Sequence, residues 1–129
     1  MILLDTHALV WAVADSKRLS PAAVSAIRGA RRADGLAIAA ITLWELAMLL
    51  ARGRIQAYGT LESSLRLLTE GITLKPLTPE IAALAAQFPQ EFPHDPADRL
   101  IGATARAEGL PLVTCNEHIR RSNLLRTIW

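Results

Sequence analysis

Along the chain, short unbroken apolar runs alternate with stretches whose apolar positions recur at helical spacing. Ile2, Leu3 and Leu4 form the first run. Continuous rather than alternating apolar residues read as a strand buried on both faces, as in a parallel sheet covered by helices. In "SPAAVSAIRGARR", Ser20 is an N-cap and Pro21 takes the first helical position. "GLAIAAI" predicts a second buried strand, and "TLWELAMLLARG" a helix stopped by Gly53. "LESSLRLLTEG" puts Leu61, Leu65 and Leu68 on one face and ends at Gly71. "ITLKPL" predicts a third strand closed by Pro76, after which "TPEIAALAAQF" repeats the cap-plus-proline signature. "DPADRLIGATARAEG" predicts a helix from about Asp95 to about Gly109, with Leu100, Ile101 and Thr104 or Ala105 facing inward. "LPLVTCN" predicts a fourth buried strand ending near Thr114, followed by a helical turn from about Glu117 and an edge strand in "LLRTIW". The alternation predicts an α/β fold of three layers, with a central parallel sheet of four to five strands between helices.

Composition narrows this picture. The 129 residues make one domain, 1–129, long enough to bury a core. Hydrophobic residues at 51% argue against disorder, and aromatics at only 5% leave aliphatic side chains to fill the interior. No apolar run reaches the length of a membrane span, and the first residues lack the layout of a signal peptide. Cys115 is alone, which excludes an internal disulfide framework. A cytoplasmic protein with no membrane partner is expected. The formal charge of +2 is too mild to hold a polyanion by bulk electrostatics. Apart from Lys17 and Lys75, all 14 basic residues are arginine. They cluster as Arg28, Arg31 and Arg32, as Arg52 and Arg54, and as Arg120, Arg121 and Arg126. Arginine is the better fork for phosphate, which lends weak support to a polyanionic ligand.

Candidate chemistry lies where strands end. Asp5 closes the first strand, at the carboxyl edge where open α/β sheets place ligands. Glu45 is expected in the first turn of the helix after strand two, Asp98 in the first turn of the helix before strand four, and Asn116 just past Thr114. Each also has a structural reading. Asp5 can cap the next helix; Thr42 and Glu45 spell a capping box; Asp95 can cap a helix in which Asp98 merely complements the dipole; Asn116 can start a turn. Together, acids gathered at one edge repel one another unless cations neutralise them. Hard oxygen ligands without a histidine or cysteine set point to magnesium or manganese rather than zinc. Two such ions can polarise a phosphoryl oxygen and activate a water, the chemistry of phosphodiester hydrolysis.

Four segments, "LLDTHALVW", "TLWELA", "DPADRLIGATA" and "LPLVTCNE", occur in the order that resembles PIN-domain nucleases, most closely the VapC-type toxins of bacterial toxin–antitoxin pairs. The resemblance spans essentially the whole chain. It implies the PIN-like α/β/α fold and a metal-dependent endoribonuclease with Asp5, Glu45 and Asp98 as the acidic metal-site residues, Asp5 and Asp98 foremost. Asn116 stands where many relatives carry a fourth acid, a departure that weakens a second metal site, although its amide oxygen can still hold a metal-bound water and assist from the rim. The family further implies a homodimer, an RNA substrate and a small antitoxin that blocks the site.

Other residues carry weaker signals. Thr6 and Thr114 can orient carboxylates or simply form turns. His7 is expected to pack locally rather than touch RNA, and His94 to be exposed. Arg99 is expected in a surface ion pair, with a phosphate as the alternative. Trp11, Trp44 and Trp129 are expected to fill the core or a dimer contact rather than stack on bases. Cys115 has no histidine partner in sequence that would make it a nucleophile. Two rival readings remain: a catalytically silent binding module with the same fold, and a phosphorylated receiver-like domain using Asp5. The latter wants a second acid beside Asp5 and a late lysine, and neither is present.

Overall fold

The computed structural model describes residues 1–129. Strand β1 (Ile2–Leu4) lies at the centre of a five-stranded sheet of order β3-β2-β1-β4-β5. Its partners are β2 (Leu36–Ala39) and β4 (Leu112–Val113), with β3 (Thr73–Lys75) and β5 (Thr127–Ile128) at the edges. Every pairing is parallel, and Leu4 stands opposite both Ile38 and Val113. Parallel neighbours require a crossover between them, and seven helices supply the two outer layers: α1 (Thr6–Ala14), α2 (Pro21–Arg32), α3 (Ala40–Ala51), α4 (Leu61–Leu68), α5 (Pro79–Gln87), α6 (Pro96–Glu108) and α7 (Glu117–Arg120).

The unbroken apolar run of β1 is explained by its neighbours. Successive strand side chains point to opposite faces. Leu3 therefore joins Ala37, Ala39 and Leu112 in a core closed by α5, α6 and α7 through Ile81, Phe88, Phe92, Ile101 and Ile119. Ile2 and Leu4 join Leu36, Ile38 and Val113 in a second core closed by α1, α2 and α3 through Leu9, Ile27 and Leu46. Both faces are covered, so no position in β1 can be polar until the strand leaves the sheet at Asp5.

Helix starts follow the sequence closely. Ser20, Thr60 and Thr78 accept the backbone N–H groups of Ala23, Ser63 and Ile81 through their side chains, each satisfying a donor orphaned at a helix N-terminus. Helix α6 closes on Gly109, whose left-handed backbone (φ 66°) favours glycine.

The exception is α3. Strand β2 stops at Ala39 and the helix begins at Ala40 with no loop between them, so Ala40 and Ile41 are helical rather than extended. The N-cap is Ala39, which has no side chain to cap with. The expected Thr42–Glu45 capping box is therefore absent: Thr42 already lies inside the helix, buried. Glu45 falls one turn further along than expected. Helix α4 also differs in detail, burying Ser64 while Leu61 and Leu67 are exposed. The Ser64 hydroxyl is engaged with the backbone N–H and carbonyl of Tyr58.

Gly102 of α6 lies against the segment that joins α5 to α6. A Cβ there would lie 2.7 Å from Cζ of Phe92 and 3.3 Å from Cε2 of Phe88. Those two rings are themselves packed 4.6 Å apart, so neither can retreat without disturbing the core. Gly102→Ala should destabilise the protein by about 1–3 kcal/mol, the usual cost of overpacking a filled core, read as a lower urea midpoint at unchanged m-value.

Candidate active site

Asp5 is the first residue after β1, and its backbone N–H still donates to the Val113 carbonyl at 3.1 Å. That last ladder bond sets Asp5 beside Thr114 of the neighbouring chain segment. Its carboxylate accepts the Ala8 N–H at 2.7 Å as the N-cap of α1, so the capping role read from the sequence is realised at a residue that also faces the carboxyl edge. Burial pushes the Asp5 carboxyl above its ordinary range. The Thr114 hydroxyl, the Ala8 N–H and the nearby His7 pull it part of the way back.

Glu45 is reached from α1. The Thr6 hydroxyl donates to Oε1 of Glu45 at 2.5 Å and lies 3.1 Å from the Thr42 hydroxyl. Thr6 and Thr42 are buried, so the hydroxyl that holds the glutamate has no water competing for it. The immediate start of α3 makes this possible. It turns Thr42 inward to Thr6 and sets Glu45 one turn along, where Thr6 can reach it.

Asp98 occupies the first turn of α6, whose N-cap Asp95 accepts the Asp98 N–H at 3.1 Å. Its carboxyl is pushed up to about 6. Burial is the main cause, followed by the negative charges of Asp95, Glu45 and Asp5, with His7 acting in the opposite sense. The structure thus brings Asp5, Glu45 and Asp98 to one edge, where Asp98 feels the other two. None of the three takes part in an ion pair: those present join Met1 to Asp34, Arg66 to Glu62, Lys75 to Glu108 and Arg121 to Glu117. Nor do three or more His, Cys, Asp or Glu side chains converge into a ready-made metal-holding group. The acids share an edge and a field but not yet a point. Their donor chemistry, carboxylate oxygens without histidine or cysteine, fits a magnesium or manganese ion. A dication would also relieve the repulsion that raises Asp98.

Asn116 lies at the exit of β4, and its carboxamide oxygen caps α7 by accepting from His118 and Ile119 at 2.9 and 3.2 Å. The oxygen expected to hold a metal-bound water is thus engaged by two backbone N–H groups, and the amide NH2 group is the donor left at the rim. Cys115 is half-buried, and burial and the Asp5 charge push its thiol up, against a thiolate nucleophile. His94 is exposed, with Nε2 3.0 Å from the Gln90 carbonyl. His7 is exposed and tilts against Trp11 at 5.8 Å. Trp11 in turn packs on Trp129 at 5.8 Å and lies 4.4 Å beneath the Arg18 guanidinium. Trp44 is 61% exposed, which removes it from the core.

Arg99 corrects a further expectation. It forms no ion pair; its guanidinium turns from the acids to the backbone carbonyls of the segment between α5 and α6. Three prolines within eight residues, Pro89, Pro93 and Pro96, were the available signal. A segment with so few N–H groups leaves carbonyls for another donor to satisfy.

The family model described as "PIN domain" matches residues 2–123. Ribonuclease VapC22 of Mycobacterium tuberculosis is 44% identical over 130 residues, covering 99% of this chain and 98% of that protein. Among solved structures, VapBC2 from Rickettsia felis bound to a promoter DNA fragment superposes with a TM-score of 0.74 at 20% identity, over 98% of this chain and 97% of the other. DNA-bound VapBC from Salmonella typhimurium gives 0.70 at 21% identity, over 98% and 97%. A toxin–antitoxin complex from Klebsiella pneumoniae gives 0.68 at 21%, over 97% and 95%.

The Asp98 carboxyl yields a pH prediction. Raised from its ordinary 3.8 to about 6, it contributes stability in full below pH 3.8 and loses it as the pH rises to about 6. That difference corresponds to about 3 kcal/mol, which solvent screening of a partly exposed group reduces to about 1 kcal/mol. In metal-free buffer near pH 7.5, Asp98→Asn should therefore be more stable than the parent by about 1 kcal/mol, with the gap closing toward pH 4. Urea titrations at the two pH values measure it, and equal midpoints at pH 7.5 would contradict the electrostatic account.

Proposed function

Because the chain belongs to the PIN-domain family, we propose that it is a metal-dependent endoribonuclease and the toxin of a toxin–antitoxin pair. The observation that carries the reading is the gathering of Asp5, Glu45 and Asp98 at one sheet edge with no basic partner. The Mycobacterium tuberculosis relative, named a ribonuclease, supports the choice of substrate.

In this reading Asp5 and Asp98 hold a magnesium or manganese ion and Glu45 completes its surroundings. Such an ion, when bound, lowers the pKa of a water and polarises a phosphoryl oxygen. The chain's own residues prepare the place. Thr114 and the Ala8 N–H favour the charged form of Asp5, and Thr6 fixes the rotamer of Glu45. The first turn of α6 presents Asp98, which is predominantly ionised above pH 6. Asn116, its oxygen committed to α7, would offer its NH2 group at the rim. Arginines on the surface would attract the RNA backbone.

Protein partners belong to the same reading. Trp44 and Leu77 are exposed beside Ile41 and Leu100 around an apolar cleft of about 230 Å³. Val13, Tyr58 and Leu67 are exposed around a second of about 330 Å³. Exposed apolar patches of this kind suit protein contacts, and the family's pairing with itself and with an antitoxin would occupy them. No helix is long and apolar enough to cross a membrane, and a cytoplasmic location accords with a ribonuclease role.

One observation favours the rival, a catalytically silent module of the same fold: the acids do not already converge into a metal-holding group. Cleavage separates the two. The purified chain should cut single-stranded RNA in magnesium or manganese and stop in chelator. Asp5→Asn should lower the rate at least 100-fold (about 2.7 kcal/mol in the barrier) while leaving the protein folded. An undiminished rate in Asp5→Asn, or cleavage that persists in chelator, would contradict the metal-centre reading. Calorimetry showing no specific uptake of either ion would favour the silent module.

A further inference from the structure

Arg99 is adjacent to Asp98 in sequence but faces another way, and its contacts are unusually complete. Nε donates to the Pro93 carbonyl at 2.9 Å. Nη1 donates to Ala85 at 3.2 Å and Phe88 at 2.9 Å. Nη2 donates to Pro89 at 3.0 Å and Phe92 at 3.4 Å. A guanidinium has five N–H donors, and here each has a backbone carbonyl. No carboxylate shares it.

The carbonyls it collects matter. Ala85 lies in the last turn of α5 and Phe88 is its C-cap, so Arg99 satisfies orphaned helix carbonyls and places a positive charge at the negative end of the dipole. Pro89, Phe92 and Pro93 carry the chain from there to Asp95, the N-cap of α6. Phe92 closes the same segment from the other side by filling the space above Gly102. The clasp therefore fixes the rotation and entry point of α6. Residues 98 and 99 differ by about 100° around the helix, so turning Arg99 into its carbonyl nest sets the direction in which Asp98 leaves it.

We propose that Arg99 is a positioning residue: by clasping the 85–93 backbone it holds Asp98 against the repulsion of Asp5, Glu45 and Asp95, on the edge it shares with them, where a divalent ion would bind. The inference rests on the nuclease reading above. It assigns Arg99 no contact with ion or substrate. Lysine keeps the charge, but its ammonium has three donors and no planar fork, so it cannot hold the five carbonyls together.

The test compares the full-length chain with Arg99→Lys and with Ile27→Ala, a destabilising control in the opposite core. Manganese binding is measured by calorimetry, and RNA cleavage by kcat and KM, at a temperature where all three are folded by circular dichroism. Arg99→Lys should bind manganese roughly 10–100-fold more weakly, the range found when the support of a metal ligand is lost. Its kcat should fall while KM for RNA stays within about twofold, because the loss lies in the site and not in RNA binding. Ile27→Ala should lose stability and keep the parent's manganese affinity. If Arg99→Lys does not fold, the parent alone decides. Coupling is reciprocal, so saturating manganese should slow hydrogen exchange at Gln90, Glu91 and Phe92. Parent-like manganese affinity in Arg99→Lys, or exchange at those amides indifferent to manganese, overturns the role of Arg99 alone. A parent chain that takes up no manganese overturns the nuclease reading and this inference with it.

Discussion

Repulsion among carboxylates is the constraint on which the candidate site depends. Asp5, Glu45 and Asp95 all bear on Asp98, and their charges add to the burial that raises its carboxyl to about 6. Like charges held this near would separate if their supports allowed it. Each support is correspondingly stiff. Asp5 is the end of a strand buried on both faces and still in its ladder. Glu45 is held by a buried hydroxyl, and Asp98 sits on a helix whose start is fastened from two directions. The fold tolerates the electrostatic cost because packing energy from two apolar cores holds these elements in place.

The candidate site is also built from residues that cap helices. Asp5 caps α1 through one carboxylate oxygen, which draws on the same charge that would attract a cation. Asp95 caps α6 and simultaneously raises Asp98. Asn116 caps α7 with its oxygen and retains its NH2 group. In each case the helix N-terminus brings orphaned N–H groups to the carboxyl edge of the sheet, so the place best suited to caps is also the place best suited to ligands. The capping role of Asp5 therefore does not exclude a functional one, and at Glu45 the structural reading fails, since the capping box does not form there at all.

Sequence alone determined the alternation of strands and helices, the all-parallel sheet and most helix starts. Those depend on local rules: an unbroken apolar run such as Ile2–Leu4 can only be covered on both sides, and Ser20, Thr78 and Asp95 need only their own following turn to act as caps. It also placed Asp5 at the carboxyl edge, where its strand ends, whereas Asp98 reaches that edge through the turn between α5 and α6, whose path the sequence left open. What only the tertiary structure decided involves partners distant in the chain. Ala40 and Ile41 have a strand's composition, yet they are helical because the sheet ends at Ala39 and Thr42 is drawn to Thr6, 36 residues earlier. The same pull moved Glu45 along by a turn. Arg99 looked like a surface cation because its partners are backbone carbonyls, and a carbonyl carries no signature in a sequence. Hydrogen-bond demand in a proline-rich segment is a property of its folded path, and only the packing of α5 on α6 placed the one side chain able to meet it.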